Sequence, residues 1–133
     1  MSLKEQIAGR IRANGPMTLA DYMSECLLHP NFGYYTTRDP FGNKGDFVTA
    51  PEVSQMFGEL IGLWLADIWV RAGSPEKVHY VELGPGRGTL TIDAMRTANR
   101  YGLVPKIHFV ETSEALRQIQ REAIPGVHHH DDL

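Results

Sequence analysis

The feature that most constrains the fold is the run Val78-His79-Tyr80-Val81-Glu82-Leu83 leading into Gly84-Pro85-Gly86-Arg87-Gly88. A short β-favouring stretch that ends in closely spaced glycines and opens a helix has few structural homes, and the commonest is a strand-to-helix turn at the edge of a parallel sheet. The same rhythm then repeats. Thr89 to Tyr101 reads as a helix closed by Gly102, Lys106 to Val110 as a second strand ending at Glu111, and Ser113 opens a second helix stopped by Pro125. Gly126 to His130 starts a third strand. The order βαβαβ implies parallel strands with crossover helices, the first half of a doubly wound α/β domain.

Upstream of Gly73 the chain is helical and irregular. Leu3, Ile7 and Ile11 recur at helical spacing and Gly15-Pro16 closes that helix, while Thr18 and Asp21 resemble a cap opening a short helix that stops before His29-Pro30. From His29 to Ser54 the sequence is rich in Gly, Pro and Asn over about 26 residues, longer than the roughly 12–15 beyond which structureless loops are uncommon. Short strands are expected there at Tyr34 to Thr36 and Phe47 to Thr49. Ser54 then caps a long helix whose apolar residues from Phe57 to Trp69 form a broad face, with Trp64 and Trp69 expected in the core and Gly58 and Gly62 allowing a close neighbour. Two parts follow: residues 1–73 as an extension, and residues 74–133 as the sheet-bearing half.

Composition narrows function. Thirteen Lys plus Arg against sixteen Asp plus Glu give a formal charge of −3, which excludes a uniform basic field for gathering nucleic acid. The longest apolar run, Ile61 to Val70, contains Asp67 and falls far short of the roughly 20 residues that cross a bilayer. The single Cys26 can form no intrachain disulfide and fits a reducing compartment. The first 16 residues lack the apolar core of a secretory signal.

Chemistry concentrates at the glycine loop. Without Cβ atoms at Gly84, Gly86 and Gly88, and with Pro85 between them, the backbone turns tightly and a ligand can approach within contact. The spacing is GxGxG, not the GxGxxG of a dinucleotide turn, and no Lys-Ser/Thr pair follows as in a P-loop. The same glycines could equally serve only the turn. Glu111, 23 positions beyond Gly88 at the end of the second strand, is placed to accept the hydroxyl hydrogens of a ribose. Glu82, beside the loop, could orient an amino or sulfonium group, or could be a solvated strand-end charge.

The segments PMTLADYM, HPNFGYY, GDFVTAPEVSQMFGEL, VELGPGRGTL and HFVETSEALRQIQ together make the chain resemble the MidA-like family of S-adenosylmethionine-dependent methyltransferases, which includes mitochondrial complex I assembly factors. The resemblance implies the class I, Rossmann-like methyltransferase fold with an N-terminal helical extension, S-adenosylmethionine as cofactor, and protein arginine methylation with a complex I subunit as the protein partner. Carried over by position, Gly84, Gly86 and Gly88 would cradle the methionine part and Glu111 the ribose, while His130-Asp131 makes Asp131 the candidate for the adenine edge. Independently of the resemblance, the aromatics and glycines of the long loop suit a lid that would include Tyr35, Gly45 and Asp46, or equally a loop simply pinned to the domain, while the resemblance puts Ser54 and Gln55 near the cofactor. Ser54 could equally be a helix cap alone. Glu52 is the named candidate to bind and deprotonate a guanidinium, whose pKa exceeds roughly 12. No metal is assigned, His128 to His130 included. The compartment implied is cytoplasmic for a bacterial protein and mitochondrial in eukaryotic relatives. Two other readings remain open: a nicotinamide-dependent oxidoreductase, and a non-catalytic assembly module that keeps the fold. With about sixty residues left for a fold that usually takes 100 or more, further strands beyond Leu133 are expected.

Overall fold

The computed structural model describes residues 1–37 and 48–133, and the chain divides into two compact units, Met1–Pro40 and Phe41–Leu133.

The first unit holds α1 (Leu3–Asn14), α2 (Leu19–Leu28) and α3 (Tyr34–Thr37). Ser2 and Glu5 form a reciprocal capping box at the start of α1, and the Thr18 hydroxyl accepts the Asp21 N–H at 3.1 Å to start α2. Arg10 pairs with Glu25 across the two helices. The strand expected at Tyr34 to Thr36 is instead the helical turn α3. The Gly33 carbonyl accepts the Thr37 N–H at 3.1 Å and both Thr36 and Thr37 hydroxyls, local bonds that favour a turn over an unpaired strand. The other strand expected in the long loop falls mostly outside the described residues, and Val48 and Thr49 are not strand.

In the second unit, α4 (Ala50–Val53) and α5 (Gln55–Arg71) precede β1 (His79–Leu83), α6 (Thr89–Ala98), a 3-10 turn at Asn99–Tyr101, β2 (Lys106–Val110), α7 (Glu114–Ala123) and β3 (His128–His130). The three strands are parallel in the order β1-β2-β3, with His79 opposite Lys106 and His108 opposite His128. This is the expected βαβαβ half. Within the second unit α5 packs on α6.

That packing explains the glycines of α5. A Cβ at Gly58 would lie 2.5 Å from the Asp93 Cβ and one at Gly62 only 2.0 Å from the Ala94 carbonyl oxygen, so the two backbones meet where no side chain fits. Gly58, Gly62 and Ala66, four residues apart, form the buried stripe. The expectation that Trp64 is core fails: it lies on another face of the helix and is 58% exposed. Trp69 is retained, packed on Ala94, Met95, Ala98 and Leu103 with Ile61, Leu65, Val78, Tyr80 and Ile107, and its indole N–H donates to the Pro75 carbonyl at 2.9 Å.

The pleat sorts the sheet into two faces. Tyr80, Ile107, Phe109 and His129 meet the helices, whereas Val81 (50% exposed) and Leu83 (60% exposed) lie on the other face with His79, His108, His128 and His130.

Candidate functional site

β1 ends where its backbone must turn into α6. Gly84, Gly86 and Gly88 have φ of 61°, 57° and 80°, all in the left-handed region that side chains disfavour, which is the local reason three glycines stand there. Gly88 is the N-cap of α6, and a Cβ on it would crowd Ile124 and Phe109. Gly84 differs, because nothing lies within 4 Å of where its Cβ would be. The loop therefore encloses open space at its first glycine and packed core at its last.

That space belongs to a cleft of about 240 Å³ lined by Gly84, Pro85, Gly86, Arg87, Thr89 and Leu90 from the loop and α6, by Thr49, Pro51 and Glu52 from α4 and its approach, and by Glu82 from β1. Two carboxylates thus share one cleft. Glu82 is anchored through one oxygen: Oε2 accepts the Tyr80 hydroxyl at 2.9 Å and the Thr91 hydroxyl at 2.5 Å. Burial pushes the Glu82 carboxyl above its usual range, and those two hydrogen bonds oppose the shift by favouring the ionised form. The Tyr80 phenol is pushed up by burial and by the carboxylate it faces. Glu52 is held by Thr89, whose hydroxyl donates to Oε1 at 2.6 Å and so ties α4 to the start of α6.

Glu111 is not among the residues lining this cleft. It is buried, 8% exposed, with Oε1 accepting the Ser113 N–H at 2.8 Å, and it is joined to the loop through Gln120. Gln120, fully buried on α7, donates to the Gly86 carbonyl at 2.6 Å. Asp131 follows β3, exposed, with its Oδ1 accepting from Arg117 at 2.6 Å. The same guanidinium donates to the Glu111 carbonyl at 2.6 Å and the His130 carbonyl at 3.1 Å, so it binds the ends of β2 and β3 together.

Of the residues singled out from sequence, Glu52, Glu82, Gly84, Pro85 and Gly86 meet around one cleft, Gly88 caps the helix behind it, and Glu111 and Asp131 sit at the ends of the next two strands. Ser54 caps α5, accepting the Met56 N–H at 3.2 Å, and Gln55 donates to Glu59 at 2.6 Å; neither lines the cleft. Tyr35 belongs to the first unit, in edge contact with Tyr34, and Gly45 and Asp46 lie outside the described residues. Sequence reasoning missed Tyr80, Thr91, Arg117 and Gln120. Thr91 is fully buried on α6, where a hydroxyl needs a partner, and Glu82 supplies it.

The histidines of the sheet bond to one another: His79 Nδ1 lies 2.8 Å from His108 Nε2, and His108 Nδ1 lies 3.0 Å from His130 Nε2. Among the described residues no group of three or more His, Cys, Asp or Glu is arranged to hold a metal ion.

Residues 60–133 match the model of a family of S-adenosyl-L-methionine-dependent methyltransferases. The mouse mitochondrial protein arginine methyltransferase NDUFAF7 is 48% identical over 84% of this chain and 27% of its own length, and the Xenopus laevis protein of the same name is 44% identical over 94% of the chain and 30% of its own. This chain therefore spans less than a third of the length of these curated relatives. A crystal structure of a COG1565 superfamily member from Burkholderia thailandensis bound to S-adenosyl-homocysteine superposes with a TM-score of 0.82 at 27% identity, covering 98% of this chain and 37% of that one. A glycine turn open at Gly84, acids at the ends of β1 and β2, parallel βαβαβ order and this degree of identity agree, and the chain belongs to that family of S-adenosyl-L-methionine-dependent methyltransferases.

Proposed function

We propose that the protein transfers the methyl group of S-adenosylmethionine to a protein arginine. The observation that carries this reading is the cleft in which an open left-handed glycine turn faces two carboxylates, Glu82 and Glu52. The residues fit such a cofactor: the space at Gly84 admits a ligand against bare backbone, and an anion anchored by two hydroxyls suits an ammonium or sulfonium group. The two arginine methyltransferase relatives support the acceptor class.

When bound, S-adenosylmethionine supplies a methyl group activated by its sulfonium, and the work left to the protein is alignment and electrostatics. Glu82 holds the amino group of the cofactor, kept in one rotamer by Tyr80 and Thr91. The peptides of Gly84 to Gly88 form the floor, Glu111 meets the ribose hydroxyls and Asp131 the adenine edge. Glu52, whose carboxylate is oriented by Thr89, binds the arginine guanidinium and accepts its proton, a step that an arginine cannot make unaided at neutral pH. A respiratory complex I subunit is the acceptor protein that the family resemblance implies, in the cytoplasm of a bacterium or in mitochondria. The sheet-bearing half is the cofactor domain and residues 1–73 its extension.

Titration calorimetry of the full chain with S-adenosylhomocysteine, paired with transfer of a labelled methyl group to protein arginine, tests this. Micromolar or tighter binding and labelled methylarginine are expected. Absence of binding, or quenching of NADH fluorescence in its place, would overturn the reading; binding with no transfer to any protein would favour an assembly module instead.

A further inference from the structure

Gln120 is a fully buried amide side chain on α7, and every polar atom it carries is used. Its Nε2 donates to the Gly86 carbonyl at 2.6 Å and reaches Glu111 Oε2 at 3.5 Å, while its Oε1 accepts from His129 Nε2 at 2.8 Å. Only one orientation of the amide satisfies this set, because a carbonyl and a carboxylate can only accept and so must face the nitrogen. His129 is drawn below its ordinary pKa by partial burial and by Arg117 and Arg121, which keeps the ring neutral with its Nε2 hydrogen directed at the amide.

A glutamine is a costly residue to bury where packing alone is needed, since a leucine or methionine would fill the volume without polar atoms to satisfy. What the amide does here is join two places that lie far apart in sequence. Gly86 is the central glycine of the turn after β1, and Glu111 ends β2. Holding the Gly86 carbonyl fixes the plane of the whole 86–87 peptide, because that peptide is rigid. Glu111, with Ser113 on one oxygen and Gln120 on the other, is left a single rotamer.

We propose that Gln120 is the positioning residue of the cofactor site: from α7 it sets the distance between the glycine turn and the ribose-binding carboxylate Glu111, and so aligns the two ends of one ligand. The proposal rests on the reading of this cleft as an S-adenosylmethionine site. It assigns a function to a residue that touches neither substrate nor cofactor.

The test uses the full chain and S-adenosylhomocysteine as the probe, by calorimetry, with circular dichroism as the control for folding. Gln120→Met should remain folded and bind on the order of 10- to 100-fold more weakly, as small misplacements in a preorganised site do. Where the S-adenosylmethionine KM and kcat are read, KM should rise while kcat at saturating cofactor changes little. Gln120→Glu keeps the shape but, when ionised beside Glu111, donates no hydrogen bond. Its affinity should be poor at pH 8.5 and improve at pH 6.5 as the new carboxyl regains a proton to give to Gly86, a recovery that the unsubstituted protein does not show. Affinity unchanged within about twofold in Gln120→Met, or a Gln120→Glu variant with no recovery on acidification, would overturn the proposal; the second arm decides if Gln120→Met does not fold. Failure of the unsubstituted protein to bind at all is a separate outcome that removes the cofactor reading and this assignment together.

Discussion

Glu82 shows how a side chain's surroundings become a measurable pH dependence. Burial raises its pKa, and the Tyr80 and Thr91 hydroxyls only partly counter that. A carboxyl whose folded pKa exceeds its unfolded value binds more protons when folded, so its contribution to stability is present at low pH and is lost as pH rises through the raised pKa. Binding has the opposite sign, because a cationic ligand needs the ionised form. Affinity for S-adenosylhomocysteine should therefore increase with pH just above the ordinary carboxylate range, and Glu82→Gln should weaken binding by about tenfold and flatten that increase, as calorimetry across pH would show. Gly84→Val makes a second point at this scale. The added side chain enters open space but at φ 61°, so it should cost about 1–2 kcal/mol in urea unfolding and abolish ligand binding by filling the cleft. The glycines and the two strand-end acids were legible because each solves a local problem that its neighbours in sequence reveal. Gln120 was not, since its partners Gly86, Glu111 and His129 are assembled only when β1, β2, α7 and β3 come together.

Among elements, α1, α2, α5, α6 and α7 and the three strands start and stop close to where caps, glycines and prolines place them. Tyr34–Thr37 escaped that reading because two tyrosines and two threonines carry β propensity, and the bonds to the Gly33 carbonyl outweigh it. The apolar run of α5 signalled a helix but not which side is covered: Leu60 and Trp64, both 58% exposed, look the same in sequence as Leu65 and Trp69. What decides is the small-residue stripe. Gly62→Ala should lower stability by about 1–3 kcal/mol or more in urea unfolding, far beyond the usual effect of Gly→Ala in a helix, which is favourable. A neutral or stabilising result would contradict the close approach of α5 to Ala94.

For the molecule as a whole, the helices of the second unit gather on one side of a three-stranded sheet and the other side carries a row of imidazoles. His108 sits between His79, His128 and His130, with Lys106 on the same strand face. Its pKa is lowered by lost solvent contact and by the charges of those four neighbours. A histidine depressed in the folded state is stabilising above its unfolded pKa, near 6.5, and that contribution disappears as pH falls through the lowered value. Urea unfolding at pH 7.5 and 5.5 should show an acid loss of stability that His108→Thr reduces and added salt softens. The family was legible in motifs spread along the chain, whereas the open sheet face was not, because the alternation of β1 and β2 is the same whether or not a second layer covers it.

The contact between α5 and α6 also governs how the site can move. Helices that interlock through side chains can slide past one another by changing rotamers, but two backbones in contact at Gly58 and Gly62 have no such slack. Shear along this pair is blocked, so the wall built from the start of α6 behaves as a fixed jaw. Ser54, extended at φ −153°, breaks the helix between α4 and α5, so the hydroxyl of Thr89 is what ties Glu52, carried on α4, to that fixed wall.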